Sequence, residues 1–264
     1  MPTPSSARMH DFEVVSNKEI AQGIFSLVIS APKLASTLKP GQFVNIAVPG
    51  DASSLLRVPL SYYRADAEAG TVEIWYAVVG DDTRRLSQMG PGSTSDLLGP
   101  GGHGWNVPAD CNRALLVAGG IGVPPVLCLA EDLSRRCIAF DVCVGAACGD
   151  KVVGLDGFKA AGAGEVVLCT DDGSAGQKGF VTDPAAKMLG LGKYGYVASC
   201  GPAIMMQKVA QAAAENDVYC EVSLERMMSC GFGACNTCNV ETVDGMKGAC
   251  MCGPVFDASK VVVF

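Results

Sequence analysis

No apolar run in the sequence is long enough to cross a bilayer, and no N-terminal apolar segment resembles a signal peptide. A membrane-spanning or exported chain is therefore not expected. Basic residues are in deficit: 20 Lys and Arg stand against 27 Asp and Glu, for a formal charge of -7. A nonspecific nucleic-acid binder would need a basic face, so that class is disfavoured. Small anionic cofactors stay within reach, because backbone amides can hold phosphate within an acidic protein. Charge of either sign is scarce, at 18% of residues, which suits a chain with part of its surface covered by a partner. Neither internal repeats nor low-complexity linkers interrupt it.

The 264 residues are 49% apolar, enough for a sizeable core in one large domain or two ordinary ones with a small appendage. Glycine, at 32 residues, and proline, at 14, point to tight turns and close backbone approaches. The 13 cysteines are unevenly spread. Cys111, Cys128, Cys137, Cys143, Cys148, Cys169, Cys200 and Cys220 are scattered among apolar stretches and read mainly as reduced core thiols. The other five fall between Cys230 and Cys252 and read as a metal site. With no signal peptide or membrane span in view, the chain is expected to sit in a reducing cytoplasm.

From Phe12 to about Pro108 the signals are those of short strands broken by turns. Segments 43–48 and 72–79 read as strands and 23–30 as a less regular one, with turns at Lys39-Pro40-Gly41, Pro49-Gly50 and Gly90-Pro91-Gly92. Short strands without long helices imply a small antiparallel barrel or sandwich. The rhythm changes at Arg113. The apolar run Ala114-Leu115-Leu116-Val117-Ala118 ends at Gly119-Gly120-Ile121-Gly122, and a helix is expected over 124–133 with Pro124 or Pro125 in its first turn. Further strands over 139–144, 165–169 and 196–199, with helices over 183–189 and 202–215, argue for a parallel sheet carrying helices on its faces. Ligands are then expected beyond the C-terminal strand edges. After Asn216 the chain is rich in glycine and cysteine and has little core of its own, so metal ligation would supply the missing order.

Cys230, Cys235 and Cys238 are separated by four and then two residues, and Cys250 follows after eleven more. Four thiolates complete the two tetrahedral irons of a 2Fe-2S cluster, and four-then-two is the plant-type spacing. Gly231, Gly233 and Ala234 are small enough for the backbone to curl around inorganic sulfide and aim amides at it. A zinc site with four cysteines is the rival, although only Cys235 and Cys238 reproduce its usual pair spacing. On geometry, Cys252 could replace Cys250, and its bland role is a spare thiol.

Gly119-Gly120-Ile121-Gly122 lies between a strand and a helix, where glycines permit close ligand approach and leave amides open to phosphate or ribose. It is not the full Gly-x-Gly-x-x-Gly fingerprint, so a structural tight turn is an equal alternative. Cys200-Gly201-Pro202 follows another expected strand and opens the helix carrying Met205 and Met206, which read as core residues. Cys200 is by default a buried small residue and, on the functional reading, a neighbour of a nicotinamide. Asp171-Asp172-Gly173 either meets a ribose hydroxyl or forms an exposed turn.

The order of these motifs resembles the electron-transfer subunits of the two-subunit, NAD-linked (type B) dihydroorotate dehydrogenases, within the ferredoxin-NADP reductase-like superfamily. The resemblance covers nearly the whole chain. Its most specific segment is Glu225-Arg226-Met227-Met228-Ser229-Cys230-Gly231-Phe232-Gly233-Ala234-Cys235, closed by Gly253-Pro254-Val255-Phe256. It implies a ferredoxin reductase-like FAD-binding β-barrel over 1–108, an NAD-binding α/β domain with a parallel sheet over 109–215, and a small 2Fe-2S domain over 216–264. Arg57, Pro59, Leu60 and Ser61 fall to the FAD site, where an arginine fork suits phosphate and a hydroxyl suits flavin or diphosphate. Gly80 and Thr83 resemble residues that shape an FAD diphosphate loop. Gly99-Pro100-Gly101-Gly102-His103-Gly104-Trp105 resembles the turn that closes the barrel near the nicotinamide domain. Without the resemblance, Arg57 and Ser61 read as exposed or structural, and His103 as a turn residue. Gly119, Gly120, Ile121, Gly122, Cys200, Gly201 and Pro202 fall to the nicotinamide side, and Cys250 is favoured over Cys252 as the fourth cluster ligand. Two departures stand out: Cys252 precedes Gly253 where the family usually has aspartate, and Arg57-Val58-Pro59 lacks the usual double arginine.

The resemblance implies a relay. Electrons leave dihydroorotate at an FMN in a separate catalytic subunit, cross the 2Fe-2S cluster of this chain and reach FAD, which reduces NAD+. The chain would not itself oxidise dihydroorotate, and no general acid or base is assigned to it. The implied assembly is a heterotetramer with two copies of each subunit. Two alternatives stand beside this one: an electron-transfer subunit of another NAD(P)-linked or bifurcating flavoenzyme, and a noncatalytic iron-sulfur scaffold.

Overall fold

Alternation of apolar side chains builds the first of two sheets in the computed structural model, which describes residues 7–50 and 56–264. Its strands are β1 (Arg8–Ala21), β2 (Ile24–Ser30), β3 (Phe43–Ile46), β4 (Val58–Ser61), β5 (Arg64–Asp66), β6 (Thr71–Ala77) and β7 (Thr94–Gly101). Short helices α1 (Pro32–Ala35) and α2 (Asp81–Ser87) lie between them. The seven strands are ordered β4-β3-β7-β1-β2-β6-β5, with antiparallel neighbours, as a curled half-barrel. In β6, Val72, Ile74 and Tyr76 are buried while the side chains between them are half exposed, the period-two pattern of a one-faced strand. The 14-residue β1 has no counterpart among the expected strands. Its pairing with β2 shifts between Val14 and Ser16 and again between Glu19 and Ala21, which breaks the alternation that would have marked it. Asn17 of β1 ties α2 to this sheet. Its Nδ2 donates to the carbonyls of Leu86 at 2.8 Å and Met89 at 3.0 Å, and its Oδ1 accepts from the Tyr76 hydroxyl at 3.1 Å.

The second sheet begins with β8 (Arg113–Gly119) and continues through α3 (Val123–Arg135), β9 (Ala139–Ala146), α4 (Leu155–Ala160), β10 (Val166–Thr170), β11 (Gln177–Lys178), α5 (Thr182–Leu189), β12 (Tyr196–Cys200), α6 (Ala203–Glu215) and β13 (Tyr219–Ser223). A hairpin of β14 (Asn239–Thr242) and β15 (Gly245–Gly248), the single turn α7 (Ala249–Cys252) and β16 (Val255–Asp257) follow. The order is β11-β10-β9-β8-β12-β13-β16, parallel except for β16 against β13. Ala114, Leu115, Leu116, Val117 and Ala118 are wholly buried, as a central strand covered on both faces requires. Tyr219–Ser223 and Val255–Asp257, within the segment expected to have little core, complete this sheet. The order reverses at β8, with β9 and β10 on one side and β12 and β13 on the other, so a topological switch point falls between β8 and β12.

At the opposite strand edge Asp141 is fully buried. It accepts from Arg113 Nη2 at 2.8 Å and Nε at 3.0 Å, from the Tyr194 hydroxyl at 2.7 Å and from the Glu165 amide at 2.8 Å, with Lys193 Nζ 3.2 Å away. Burial would push the Asp141 carboxyl up, but these donors and cations outweigh it and hold the group below the usual carboxylate range.

By its internal contacts the chain divides into two compact units. One joins the described residues up to Gly104 with Glu225–Val240 and Met246–Pro254, and the other comprises Trp105–Leu224, Glu241–Gly245 and Val255–Phe264.

Candidate functional site

In the second unit, the two glycine segments meet at the switch point. Cys200 pairs with Ala118, so Cys200-Gly201-Pro202 leaves β12 beside Gly119-Gly120-Ile121-Gly122 leaving β8. A Cβ on Gly122 would overlap the Cys200 carbonyl, and one on Gly119 would sit 2.6 Å from Met205 Sδ and 2.9 Å from Pro202 Cδ. A Cβ on Gly201 would come within 3.0 Å of the Gly119 backbone. Gly120, at φ +54, has open space where its side chain would be. The result is a backbone-lined surface at the C-terminal strand ends, with the half-exposed Ile121 and the exposed Pro202 on it. Such a surface admits the backbone-close approach that a dinucleotide needs. Cys200, Met205 and Met206 are buried. Asp172 lies in an exposed turn, where its Oδ1 accepts from the Ser174 amide at 2.9 Å and hydroxyl at 2.6 Å.

In the first unit, Pro59, Leu60 and Ser61 lie half exposed on β4, opposite Asn45, Val44 and Phe43 of β3. Arg57 enters that strand held by β7: its Nη2 donates to Asp96 Oδ1 at 2.5 Å and its Nη1 to the Asp96 carbonyl at 3.2 Å. The fork stays partly exposed, at 26%, so the pair orients it without enclosing it. Thr83 is buried, and its Oγ1 accepts from the amides of Val79 and Gly80, each at 3.0 Å, while donating to the Gly80 carbonyl at 3.0 Å. Its hydroxyl is spent on the shape of the turn, and Gly80 has open space beside its Cα. No hydrogen bond joins Arg57 to Gly80 or Thr83 among the described residues.

The same unit carries the cysteine loop. Gly231 at φ +75, Gly233 at φ +89 and Asn236 at φ +56 curl it tightly. Its thiols lie as two neighbouring pairs, Cys235 beside Cys230 and Cys250 beside Cys238, with all four free of disulfides. Backbone amides point at sulfur, from Ala234 to Cys230 Sγ at 3.3 Å and from Cys250 to Cys238 Sγ at 3.4 Å. Hydrogen bonds from Thr237, then from Cys230, bring the exposed Cys235 thiol down to about 6, whereas burial, helped by Cys238, pushes the Cys250 thiol up to about 12. Among the described residues no three His, Cys, Asp or Glu side chains converge as on a single ion. Two thiol pairs with N–H···S donors fit two irons sharing sulfide better than one zinc. Gly233 rests on Met251, and the His103 amide donates to the Gly253 carbonyl at 2.5 Å, closing the loop onto the end of β7.

Two residues escaped the sequence reading. Asp96, which orients Arg57, carries no motif. Asn45 does carry a signal, as the lone polar residue in Phe43-Val44-Asn45-Ile46-Ala47. It lies against the cysteine loop: a Cβ on Gly231 would overlap Asn45 Nδ2 and come 3.5 Å from Leu98 Cδ2.

Comparison with known proteins follows the same division. The family described as the iron-sulfur cluster binding domain of dihydroorotate dehydrogenase B matches residues 225–262. The dihydroorotate dehydrogenase B (NAD(+)) electron transfer subunit of Desulforamulus reducens is 34% identical over 260 residues, covering 97% of this chain and 99% of that protein. The subunit of the same name from Geobacillus thermodenitrificans is 40% identical over 266 residues, covering 95% and 97%. A chain from the structure of the NADH-dependent reduced ferredoxin-NADP oxidoreductase, a study of flavin-based electron bifurcation, superposes with a TM-score of 0.85 at 31% identity, covering 95% of this chain and 89% of that one. The ferredoxin reductase of carbazole 1,9a-dioxygenase, at 18% identity and a TM-score of 0.67, shares the fold over 80% of this chain and 67% of its own.

Proposed function

This chain belongs to the family of dihydroorotate dehydrogenase B electron-transfer subunits, and from that premise we infer that it passes electrons from a catalytic FMN subunit toward NAD+ through an iron-sulfur cluster and FAD, without itself oxidising dihydroorotate. When bound, FAD exchanges a hydride with the nicotinamide and single electrons with the cluster, which reconciles the two kinds of carrier. The observation that carries this reading is the pair of backbone amides aimed at sulfur, from Ala234 to Cys230 Sγ and from Cys250 to Cys238 Sγ, inside the segment that matches the cluster-binding family.

The chain's own residues divide the remaining work. Arg57, oriented by Asp96, presents its free N–H groups to a flavin phosphate, and Ser61 offers a hydroxyl on the same strand, with Pro59 and Leu60 between them. Thr83 holds the turn at Gly80 open for a diphosphate. Gly119, Gly120, Ile121 and Gly122, with Cys200, Gly201 and Pro202, form the floor on which NAD(H) lies. Cys230, Cys235, Cys238 and Cys250 ligate the irons. The proposed functional divisions are 1–108 for FAD, 109–215 for NAD and 216–264 for the cluster, with Tyr219–Ser223 and Val255–Asp257 of the last lending strands to the second sheet. The assembly is a heterotetramer of two copies of each subunit, and the 13 cysteines, all free of disulfides, suit the cytoplasm.

Mixing this subunit with its co-purified partner and following dihydroorotate-dependent NAD+ reduction tests the reading. Activity is expected only with both present. A second reading, an electron-transfer subunit of a bifurcating complex, is favoured by the match to the ferredoxin-NADP oxidoreductase chain. It gains if a fully loaded complex reduces NAD+ with another donor and never with dihydroorotate.

A further inference from the structure

We propose that Asn45 is a positioning residue for the iron-sulfur cluster, the point at which the FAD-side strand fixes the turn that carries Cys230. The proposal rests on the cluster reading given above. Asn45 is 2% exposed on a strand whose other members are apolar and buried, and its Oδ1 has no hydrogen-bond partner among the described residues. An unsatisfied buried acceptor carries a cost that leucine at the same place would not, so strand packing alone does not account for a carboxamide here.

Its neighbours supply the account. Along the sheet Asn45 stands between Pro59 of β4, which has no amide proton to donate, and Leu98 of β7. Across the sheet face it meets Gly231, so closely that no side chain fits between Gly231 and Asn45 Nδ2. Gly231, at φ +75, immediately follows Cys230, whose Sγ already accepts from the Ala234 amide at 3.3 Å. A carboxamide held by a buried strand therefore bears on the ligand turn one residue beyond its first thiol. Its dipole sits beside a group that gains negative charge on reduction. Polar groups near cluster sulfur set the cluster's reduction potential, so the carboxamide is expected to favour the reduced state.

The test compares the wild-type protein with Asn45→Leu and Asn45→Ser, each purified anaerobically with its partner. Iron, acid-labile sulfide and FAD are counted, and the cluster is titrated redox-potentiometrically with the reduced-state EPR spectrum as signal. Wild-type protein lacking two irons and two sulfides per chain would defeat the cluster reading itself, before any variant is compared. With that stoichiometry in place, Asn45→Leu is expected to keep FAD and shift the one-electron equilibrium about tenfold toward the oxidised cluster, about 59 mV lower, with a changed EPR line shape. Asn45→Ser shifts it in the same direction by less. Retained FAD with loss of the cluster in Asn45→Leu supports the proposal equally. Titration curves and spectra identical to wild type in both variants, or in Asn45→Ser alone where the leucine variant is recovered without FAD, overturn it.

Discussion

Gly122, at the start of α3, lies against the carbonyl group of Cys200 at the end of β12, leaving no room for a Cβ between them. The contact locks two loops from neighbouring parallel strands into one surface. Gly122→Ala must push them apart, and overpacking of this kind costs about 1–3 kcal/mol. If that strain falls on the nicotinamide floor, NADH binds roughly tenfold to a hundredfold more weakly. Flavin bleaching at graded NADH concentrations reads the affinity, with FAD and iron contents expected at wild-type levels.

Arg57 is predicted to hold FAD through a charge-assisted contact, each such bond contributing about 1.5–3 kcal/mol. Arg57→Ala should raise the FAD dissociation constant by about tenfold or more, measured by ultrafiltration after reconstitution. Asp96→Ala leaves the guanidinium in place but removes its orienting partner, so a smaller loss of the same sign is expected. Arg57→Lys should not restore wild-type affinity, because an ammonium group cannot reproduce the fork.

The thiol pairing predicts different fates for two neighbouring cysteines. Cys250→Ser removes a member of the buried pair with Cys238 and should yield protein with FAD but without a stable two-iron cluster. Cys252→Ser should retain iron and sulfide at wild-type stoichiometry. Metal and sulfide analysis with visible spectroscopy decides the point. Cluster loss in the Cys252 variant alone would transfer the ligand role to that residue.

Asp141 predicts an acid limit. Its folded carboxyl lies below the ordinary value of about 3.9, so its contribution is fully present above that pH and is lost as pH falls through the folded value. Asp141→Asn abandons Arg113 and Lys193 without their counter-charge, at a cost of about 3 kcal/mol near neutrality. Denaturant titrations at several pH values should show that penalty shrinking as pH drops below about 4.

Local chemistry was legible in the sequence, because the relevant groups are neighbours along the chain. The spacing of Cys230, Cys235 and Cys238 and the small residues between them describe a ligand loop whatever surrounds it. The run from Ala114 to Ala118 announces a doubly covered strand, and the glycines after it announce a turn, for the same reason. Which strands become neighbours is settled by burial of faces far apart in sequence, and only the folded sheet brings Cys200 beside Gly122. Likewise β1 hides behind its pairing shifts, and β16 joins the second sheet by running antiparallel to β13. Asp96 and Asn45 illustrate the limit best: neither belongs to a motif, and only in the fold does β7 bring Asp96 to Arg57 and the cysteine loop bring Gly231 to Asn45. Ligand identity follows from residue type and spacing, whereas orientation follows from contacts across the barrel that no local pattern encodes.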